Sequence, residues 1–527
     1  MGIVNQIFSG WAATRIRAET KRINAETEKR RAEIMQEVIQ RFENYTHEGA
    51  SQRKNAFAGV DDNIYSHDED ITENIPTLIA RSRRNFYGNS IARGAITKLT
   101  NSVVHTGLRP KPCPNNRILK LSEKELEQLQ NEIQTSWNLW AGSPECDVTR
   151  QSNFYQIQAL AFQTMLIDGT CFIKIKYKKR KKEFFEMKLK FLDAGRLLSP
   201  KGDTPDGRIK NGVEYNEDGE PVAYYFRKTD LSYETERIST YTTDGDRQLI
   251  VLMTKERPNQ RMGVPLLAPV LEILTQLTKY TNAELMATVI ASMFTVFITT
   301  DKDAESPLNL GGVPKMPKKG PHHGDPEVNM KIGSGSIVRL EPGQNINLAD
   351  PKRPSQNFEA FFTALCKMIG SALGIPHEIL MAKFDASYSA SRGAVLEFWK
   401  YILACRANLI DNLCVPVYQM HLDEAAAKGF IDIKCDYTNP INRSAYSEAE
   451  FYGTAMSQLD PKKEVEAALL RINSGLSTRA REARALNGSD IEENFRQLEK
   501  EEKQIRKMRE VKKQNGNITN TDEGGDA

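Results

Sequence analysis

Residues 263–300 read GVPLLAPVLEILTQLTKYTNAELMATVIASMFTVFITT, and residues 358–373 read FEAFFTALCKMIGSAL. In the first stretch Leu267, Val270, Leu271, Leu274, Leu277, Leu285, Val289 and Met293 recur at helical spacing, and the second reads as helix throughout. A helix over the whole of the first would run about 50 Å, longer than a compact core requires. Between them, residues 301–345 hold seven glycines and six prolines, 13 of 45 positions against 56 of 527 in the whole chain. That is the composition of a loop-rich insert, with short strand-like pieces near Ile332 and over 336–340. The pattern is two apolar helices interrupted by a small module.

On the N-terminal side, residues 76–105 predict one helix carrying Arg81, Arg83, Arg84 and Arg93, with Gly107 as its stop and Pro110 and Pro112 beyond. Four arginines could meet phosphate, but more often they form a solvated or ion-paired face. Ser122 and Glu125 make a capping box ahead of Leu126, Leu129, Ile133 and Trp137. Residues 152–167 predict an apolar helix closed by Asp168-Gly169, whose Phe154, Tyr155 and Phe162 read as core and not as a base-stacking platform. A hairpin follows, with strands over 171–177 and 184–192; residues 174–190 carry nine basic groups against two acidic ones. A second strand pair, 212–215 and 222–226, turns through Asp218-Gly219.

On the C-terminal side, residues 390–428 predict a long helix broken locally at Pro416, followed by a brief strand over 431–435. Pro461 starts a helix that ends near Gly475, and residues 490–513 are charged at 15 of 24 positions. At the other end of the chain, residues 11–45 predict a helix with eight basic and six acidic residues around a sparse apolar stripe, the mark of a solvated arm or of a helix that docks on a neighbouring subunit.

A length of 527 residues allows three or four units of about 150 residues, and 39% apolar with 27% charged residues predicts a folded chain. Lys plus Arg number 72 and Asp plus Glu 69, a net charge of +3 that excludes tight DNA binding by phosphate neutralisation alone. Seven scattered cysteines without a paired spacing point to a reducing compartment and no structural zinc. Charge crowds the first forty residues, so no secretory signal is read there, and the longest uncharged apolar run, 16 residues from Leu285 to Thr300, is short for a bilayer span of about 20. No Gly-Lys pair, Gly-x-Gly-x-x-Gly or Gly-x-Ser-x-Gly occurs. His377-Glu378 begins like a zinc-protease helix, yet Met381 stands where the second histidine would be, and His322-His323 lie too close together for two oriented ligands. No enzyme, cofactor or metal is expected.

Four stretches carry a further reading. The first runs from Arg84-Asn85 through Val104 into Gly107-Leu108-Arg109-Pro110. The second is Gly212-Val213-Glu214-Tyr215 with Asp218-Gly219-Glu220-Pro221-Val222-Ala223-Tyr224. The third is Arg257-Pro258-Asn259-Gln260-Arg261-Met262-Gly263-Val264-Pro265, and the fourth joins Leu340-Glu341-Pro342-Gly343 to Leu373-Gly374-Ile375-Pro376 and Tyr388-Ser389-Ala390-Ser391-Arg392-Gly393-Ala394. In order and spacing, over roughly residues 80–490, they resemble the lambda-type family of tailed-phage portal proteins. One position departs: members usually carry arginine directly before the glycine of the third stretch, whereas here Met262 stands there and Arg261 is shifted by one.

The resemblance implies an α+β, helix-dominated subunit assembled as a ring of twelve at one capsid vertex. That ring would be the channel through which the terminase motor packages DNA and through which DNA leaves, and the attachment point of the head-tail connector. It implies residues 1–60 as an arm, 61–262 as an α/β wing, 263–300 and 354–375 as two stem helices, and 301–353 as a clip. Residues 376–435 would hold a tunnel loop (382–392) and a long wing helix, 436–513 a helical crown, and 514–527 a disordered tail. The partners implied are further copies of the chain, viral double-stranded DNA, the terminase large subunit, the major capsid protein and a head-completion protein, with no membrane, in a virion assembled in the host cytoplasm.

A channel wall must let DNA slide, and each strongly neutralised phosphate would brake it, so near-zero net charge suits the role. On this reading Lys383, Tyr388 and Arg392 face the channel, and Lys315, Lys318 and Lys319 in the clip meet DNA or the terminase and tail. Leu277, Leu285 and Val289 pack subunit on subunit, through heterologous contacts that repeat until the ring closes. Two other readings compete. A helical scaffold or adaptor without a channel explains the charged helices but not the Gly/Pro insert, and a nuclease or hydrolase lacks any nominated carboxylate.

Overall fold

The computed structural model describes residues 17–35, 58–61, 63–292, 296–300, 344–348, 358–383, 387–456 and 461–518. Residues 1–65 and 66–527 form two units. In the first, residues 17–35 are a helix (α1) exposed along its length, as a segment with so sparse an apolar stripe requires. The clip expected over 301–353, apart from residues 344–348, lies outside the described residues, as do residues 519–527 of the tail expected over 514–527; residues 514–518 of that tail are not irregular but continue the charged helix before them.

In the second unit, α2 (Ile75–Gly88) and α3 (Ser90–Val103) replace the single helix expected over 76–105. Asn89 is the reason. Its backbone is extended, and its side-chain oxygen accepts from the N–H groups of Ile91 and Ala92, both at 3.0 Å, so it caps α3 where α2 stops. Strand β1 (Arg109–Pro112) follows, then a helical turn α4 (Asn116–Leu119) and α5 (Glu123–Ala141), which opens on the expected Ser122/Glu125 capping box. Helix α6 (Phe154–Asp168) stops at Gly169, whose φ of +80° permits the tight turn into β2.

Strands β2 (Thr170–Tyr177), β3 (Met187–Leu192), β4 (Ile209–Lys210), β5 (Val213–Tyr215), β6 (Pro221–Arg227), β7 (Thr235–Ser239) and β8 (Leu249–Met253) make two antiparallel sheets, in the orders β3-β2-β8 and β4-β5-β6-β7. Both expected hairpins are present. Phe172, Val213, Tyr224, Phe226, Ile238 and Met262 form a small core between the sheets. A larger one joins α3, α5, α6 and the inner face of β2 and β3 to the helices that follow.

The stretch 263–300 is not one helix. A 3₁₀ turn at Ala268–Val270 precedes α7 (Leu271–Ser292), and the β-branched run beyond it forms β9 (Val296–Thr300), antiparallel to β10 (Gln344–Leu348). Helix α8 (Phe358–Leu373) has the expected bounds and is followed by α9 (His377–Met381). The long helix expected over 390–428 is α10 (Tyr388–Leu409) and α11 (Val415–Ala427), joined by a wide π-turn at Ile410–Cys414. Pro416 sits in the first turn of α11, where no N–H is required.

Residues 431–435 pair with no strand: the N–H of Asp432 goes to Glu132, and those of Lys434 and Cys435 to the Tyr446 hydroxyl. Helix α12 (Pro440–Tyr446) leads to β11 (Ala449–Tyr452), which pairs with β1 from Arg109↔Tyr452 to Pro112↔Ala449. Helices α13 (Pro461–Asn473), α14 (Arg479–Asn487) and α15 (Ile491–Ile518) complete a helix-rich α+β chain. No helix among the described residues is long and apolar enough to cross a membrane.

Candidate functional site

The site is the corner where α7, α8, α9 and the start of α10 meet. Leu373-Gly374-Ile375-Pro376 makes the turn from α8 to α9, with Gly374 at φ +68° and the Ile375 N–H bonded to the Gly370 carbonyl at 2.9 Å. A Cβ at Gly370 would lie 2.5 Å from the Ile375 carbonyl, so the helix can fold back only on a glycine. Tyr280 of α7 stacks on Phe358 with ring centroids 5.5 Å apart and meets Phe361 edge-on at 5.2 Å, which locks α7 to α8.

Along α7 the environment changes. Leu274 and Leu277 are buried in the chain's own core, Leu277 at 2% exposure, whereas Leu285 is 62% exposed, with Met286 and Val289 also on the surface. Of the three residues expected to pack subunit on subunit, Leu277 is therefore occupied within its own subunit, while Leu285 and Val289 present apolar surface.

Lys383 follows α9, and its Nζ lies 3.1 Å from the Glu359 carboxylate in the first turn of α8. Arg392, one turn into α10, pairs with Glu464 of α13 at 3.0 Å. Tyr388 is the first residue of α10, behind the Ser387 cap. The structure thus sets Lys383 and Arg392 on the two flanks of residues 384–386, each against a carboxylate from a different helix. The Lys383 pair is solvent-exposed, and such a pair is worth roughly 1 kcal/mol or less, so either partner can turn to another charge at little cost. Lys315, Lys318 and Lys319 lie outside the described residues.

Sequence reasoning missed Lys98. From α3 its Nζ donates to the carbonyls of Ile379 (2.5 Å) and Leu380 (2.7 Å), fastening the C-terminal end of α9, and burial pushes its pKa down. No local signal could have marked it, because its partners lie far away in sequence. Of the four flagged arginines, Arg83 forks onto Asp168 at 2.8 and 2.7 Å, a structural ion pair.

The third stretch is framework. Met262, in the place of the family's arginine, is buried between the two sheets, and Arg261 reaches Asp68 at 2.9 Å, the Gly207 carbonyl at 2.7 Å and the Tyr215 ring at 4.3 Å. Gln260 is buried and bonds the Glu256 N–H (2.7 Å) and the Met262 carbonyl (2.8 Å). Gly263 touches Gly169 backbone to backbone, leaving no space for a Cβ at either position, and its N–H donates to Thr170 Oγ1 at 2.8 Å. Among the described residues no group of three or more His, Cys, Asp or Glu side chains could hold a metal.

The family model described as phage portal protein, lambda family, matches residues 53–406. Portal protein B of Escherichia phage lambda is 22% identical over 431 residues, covering 78% of this chain and 81% of that protein. The portal protein of Escherichia phage N15 is 22% identical over 437 residues, with the same two coverages. Among solved structures the chain is similar to one in the neck of an empty gene transfer agent particle with C6 symmetry, at a TM-score of 0.44 and 13% identity, covering 78% of this chain and 93% of that one. It is also similar to one in the neck of the native particle with C12 symmetry, at a TM-score of 0.40 and 12% identity, covering 78% and 94%.

Proposed function

Because the chain belongs to the lambda family of phage portal proteins, we propose that it assembles as a ring of twelve at one vertex of the virion capsid. In this reading it conducts double-stranded DNA during packaging and exit, serves as the attachment point for the head-completion protein, and catalyses nothing itself. The family match over residues 53–406 carries the reading. In the ring, the terminase large subunit docks on the clip and the major capsid protein on the wing.

The two sheets with α2, α3, α5 and α6 form the wing; α7 and α8 are the stem helices. The strand pair β9–β10 closes the base of the clip, and residues 382–392 are the tunnel segment, with Lys383, Tyr388 and Arg392 toward DNA. The pairing of β11 with β1 supports counting residues up to 452 with the wing, so the crown comprises α13, α14 and α15 instead of everything after 436. The change from buried Leu277 to exposed Leu285 supports α7 as a helix whose far half is covered by a neighbouring subunit.

A pair of variants tests this. Leu285→Asp puts a charge on exposed surface, so it should leave the circular dichroism and melting temperature of the subunit unchanged while abolishing rings in light scattering and negative stain. Leu277→Asp buries an unpaired charge in the subunit's own core and should cost about 3–5 kcal/mol, losing the fold itself. Unchanged rings in Leu285→Asp would remove α7 from the interface; wild-type protein that forms no ring with or without capsid partners would end the channel reading.

A further inference from the structure

The most basic part of the chain, the β2–β3 hairpin, lies in the proposed wing, but the portal reading gives its lysines no role. Its register sets Lys174 opposite Lys190 and Lys176 opposite Lys188, two like-charged cross-strand pairs where such neighbours destabilise a sheet. Two of the four lysines have a carboxylate. Lys188 is 1% exposed and bonded to Glu183 at 2.7 Å, and Lys174 meets Glu236 of β7 at 2.6 Å. Among the described residues no carboxylate comes within ion-pair distance of Lys176 or Lys190, though both are half-buried. Glu236 therefore faces three ammonium groups, and Lys190 is held below its ordinary pKa first by burial and then by Lys176, Arg196 and Lys174.

A lysine on an edge strand can serve to discourage pairing with another sheet, which would account for Lys190 on edge strand β3. That role cannot account for Lys176 on the central strand β2. The four exposed lysines of the tip (Lys178, Lys179, Lys181, Lys182) are ordinary solvated charges, whereas Lys176 and Lys190 are recessed beside β7. Glu236 shows what fits there: a single carboxylate presented by an extended strand.

We propose that Lys176 and Lys190 form a docking site for an acidic protein segment in extended conformation, carrying carboxylates two residues apart. The two lysines are diagonal neighbours on one face, about 7–8 Å apart at the backbone. Alternate side chains on an extended segment repeat every 6.4–6.8 Å, roughly the same spacing. A DNA duplex fits poorly, because its phosphates lie on a stiff convex rod that cannot enter a recess already flanked by Glu236. The near-neutral chain also lacks the long-range positive field on which duplex binding draws. The site is independent of ring assembly and of the channel.

The test uses purified full-length protein and a fluorescein-labelled decapeptide alternating Glu and Ser. In low salt the peptide should bind with saturable anisotropy. Lys176→Gln/Lys190→Gln should weaken it about tenfold, the loss of one or two charge-assisted contacts, while the tip variant Lys179→Gln/Lys181→Gln should change it by less than about twofold. On the unaltered chain, zero-length carbodiimide coupling followed by peptide mapping should join the probe to Lys176 or Lys190, a readout that no folding defect can disturb. Equal losses in the two double variants, coupling confined to the tip, no saturable binding, or displacement by a short DNA duplex more readily than by unlabelled peptide would each overturn the proposal.

Discussion

Gly263 shows how a single residue can be read correctly and for an incomplete reason. The sequence marks it as the glycine of a family motif; the structure shows that it matters because its backbone lies against that of Gly169, with Thr170 Oγ1 on its N–H. Gly263→Ala forces the two strands of backbone apart, and overpacking of this kind costs on the order of 3 kcal/mol, read as a lowered melting temperature. The shift of Arg261 next to it was visible in the sequence, but its partner Asp68 was not, since nothing local connects the two. His421 is the other residue with a measurable signature. Fully buried beside Trp137 and Trp140, with Ser136 at 2.8 Å, its imidazole is pushed down by burial to about 3. The unfolded chain takes up this proton near 6.5 and the folded chain only near 3. Stability from the neutral ring is therefore complete above about pH 6.5 and declines as pH falls from there toward 3. His421→Gln should flatten the melting temperature between pH 6.5 and 4.5 relative to the parent; an identical slope would assign the acid sensitivity elsewhere.

At the scale of elements, what the sequence reveals is what is encoded locally. The Ser122/Glu125 capping box, the Asp168-Gly169 stop, the Asp218-Gly219 hairpin and the apolar period of α8 each carry their signal within a few residues. Asn89 misled because a helix pattern continues on both sides of it, and only its extended backbone separates α2 from α3. Residues 431–435 have strand composition, but the Tyr446 hydroxyl and the Glu132 carboxylate take N–H groups that a ladder would need. The tunnel segment proposed above rests on resemblance alone, while Lys98, which fastens the C-terminal end of α9, has no local signature at all.

The C-terminal helices α13, α14 and α15 yield the prediction at this scale. Among the described residues beyond Tyr452, Ala468 is the one buried apolar side chain, and the attachment runs through ions: Lys111 to Asp490 (2.8 Å) and Glu492 (3.4 Å), Arg484 to Glu450, Arg392 to Glu464 (3.0 Å) and Arg496 to Glu127 (3.3 Å). Raising salt from about 0.1 M to about 1 M cuts the screening length from about 10 Å to about 3 Å. Amide exchange in α13, α14 and α15 should then accelerate several-fold while β2 and β3 stay protected, and Lys111→Gln should reproduce part of the effect at low salt. Uniform exchange across the chain at both salts would mean that the attachment is not ionic.

For the whole molecule, the near-zero net charge suits the channel proposed above, whose wall DNA would pass without being held. Lys383→Glu should permit ring assembly, because its present partner Glu359 is exposed, yet alter DNA packaging or retention through a repeated change of sign around the channel. Normal packaging by that variant would remove Lys383 from the channel wall.

The ladder between β1 and β11 has a consequence for how the chain is made. Arg109 meets Tyr452, and the pairing is continued by the Cys113 and Asn115 N–H groups on the carbonyls of Glu448 and Ala445. On the ribosome, these contacts cannot form until residue 452 has left the exit tunnel, by which time α2 to α11 and the strands among them have long been synthesised. Closing so wide a loop is slow. A nascent subunit therefore completes its body only after residue 452 has emerged, and chains short of that point present an incomplete surface to one another while synthesis is still under way.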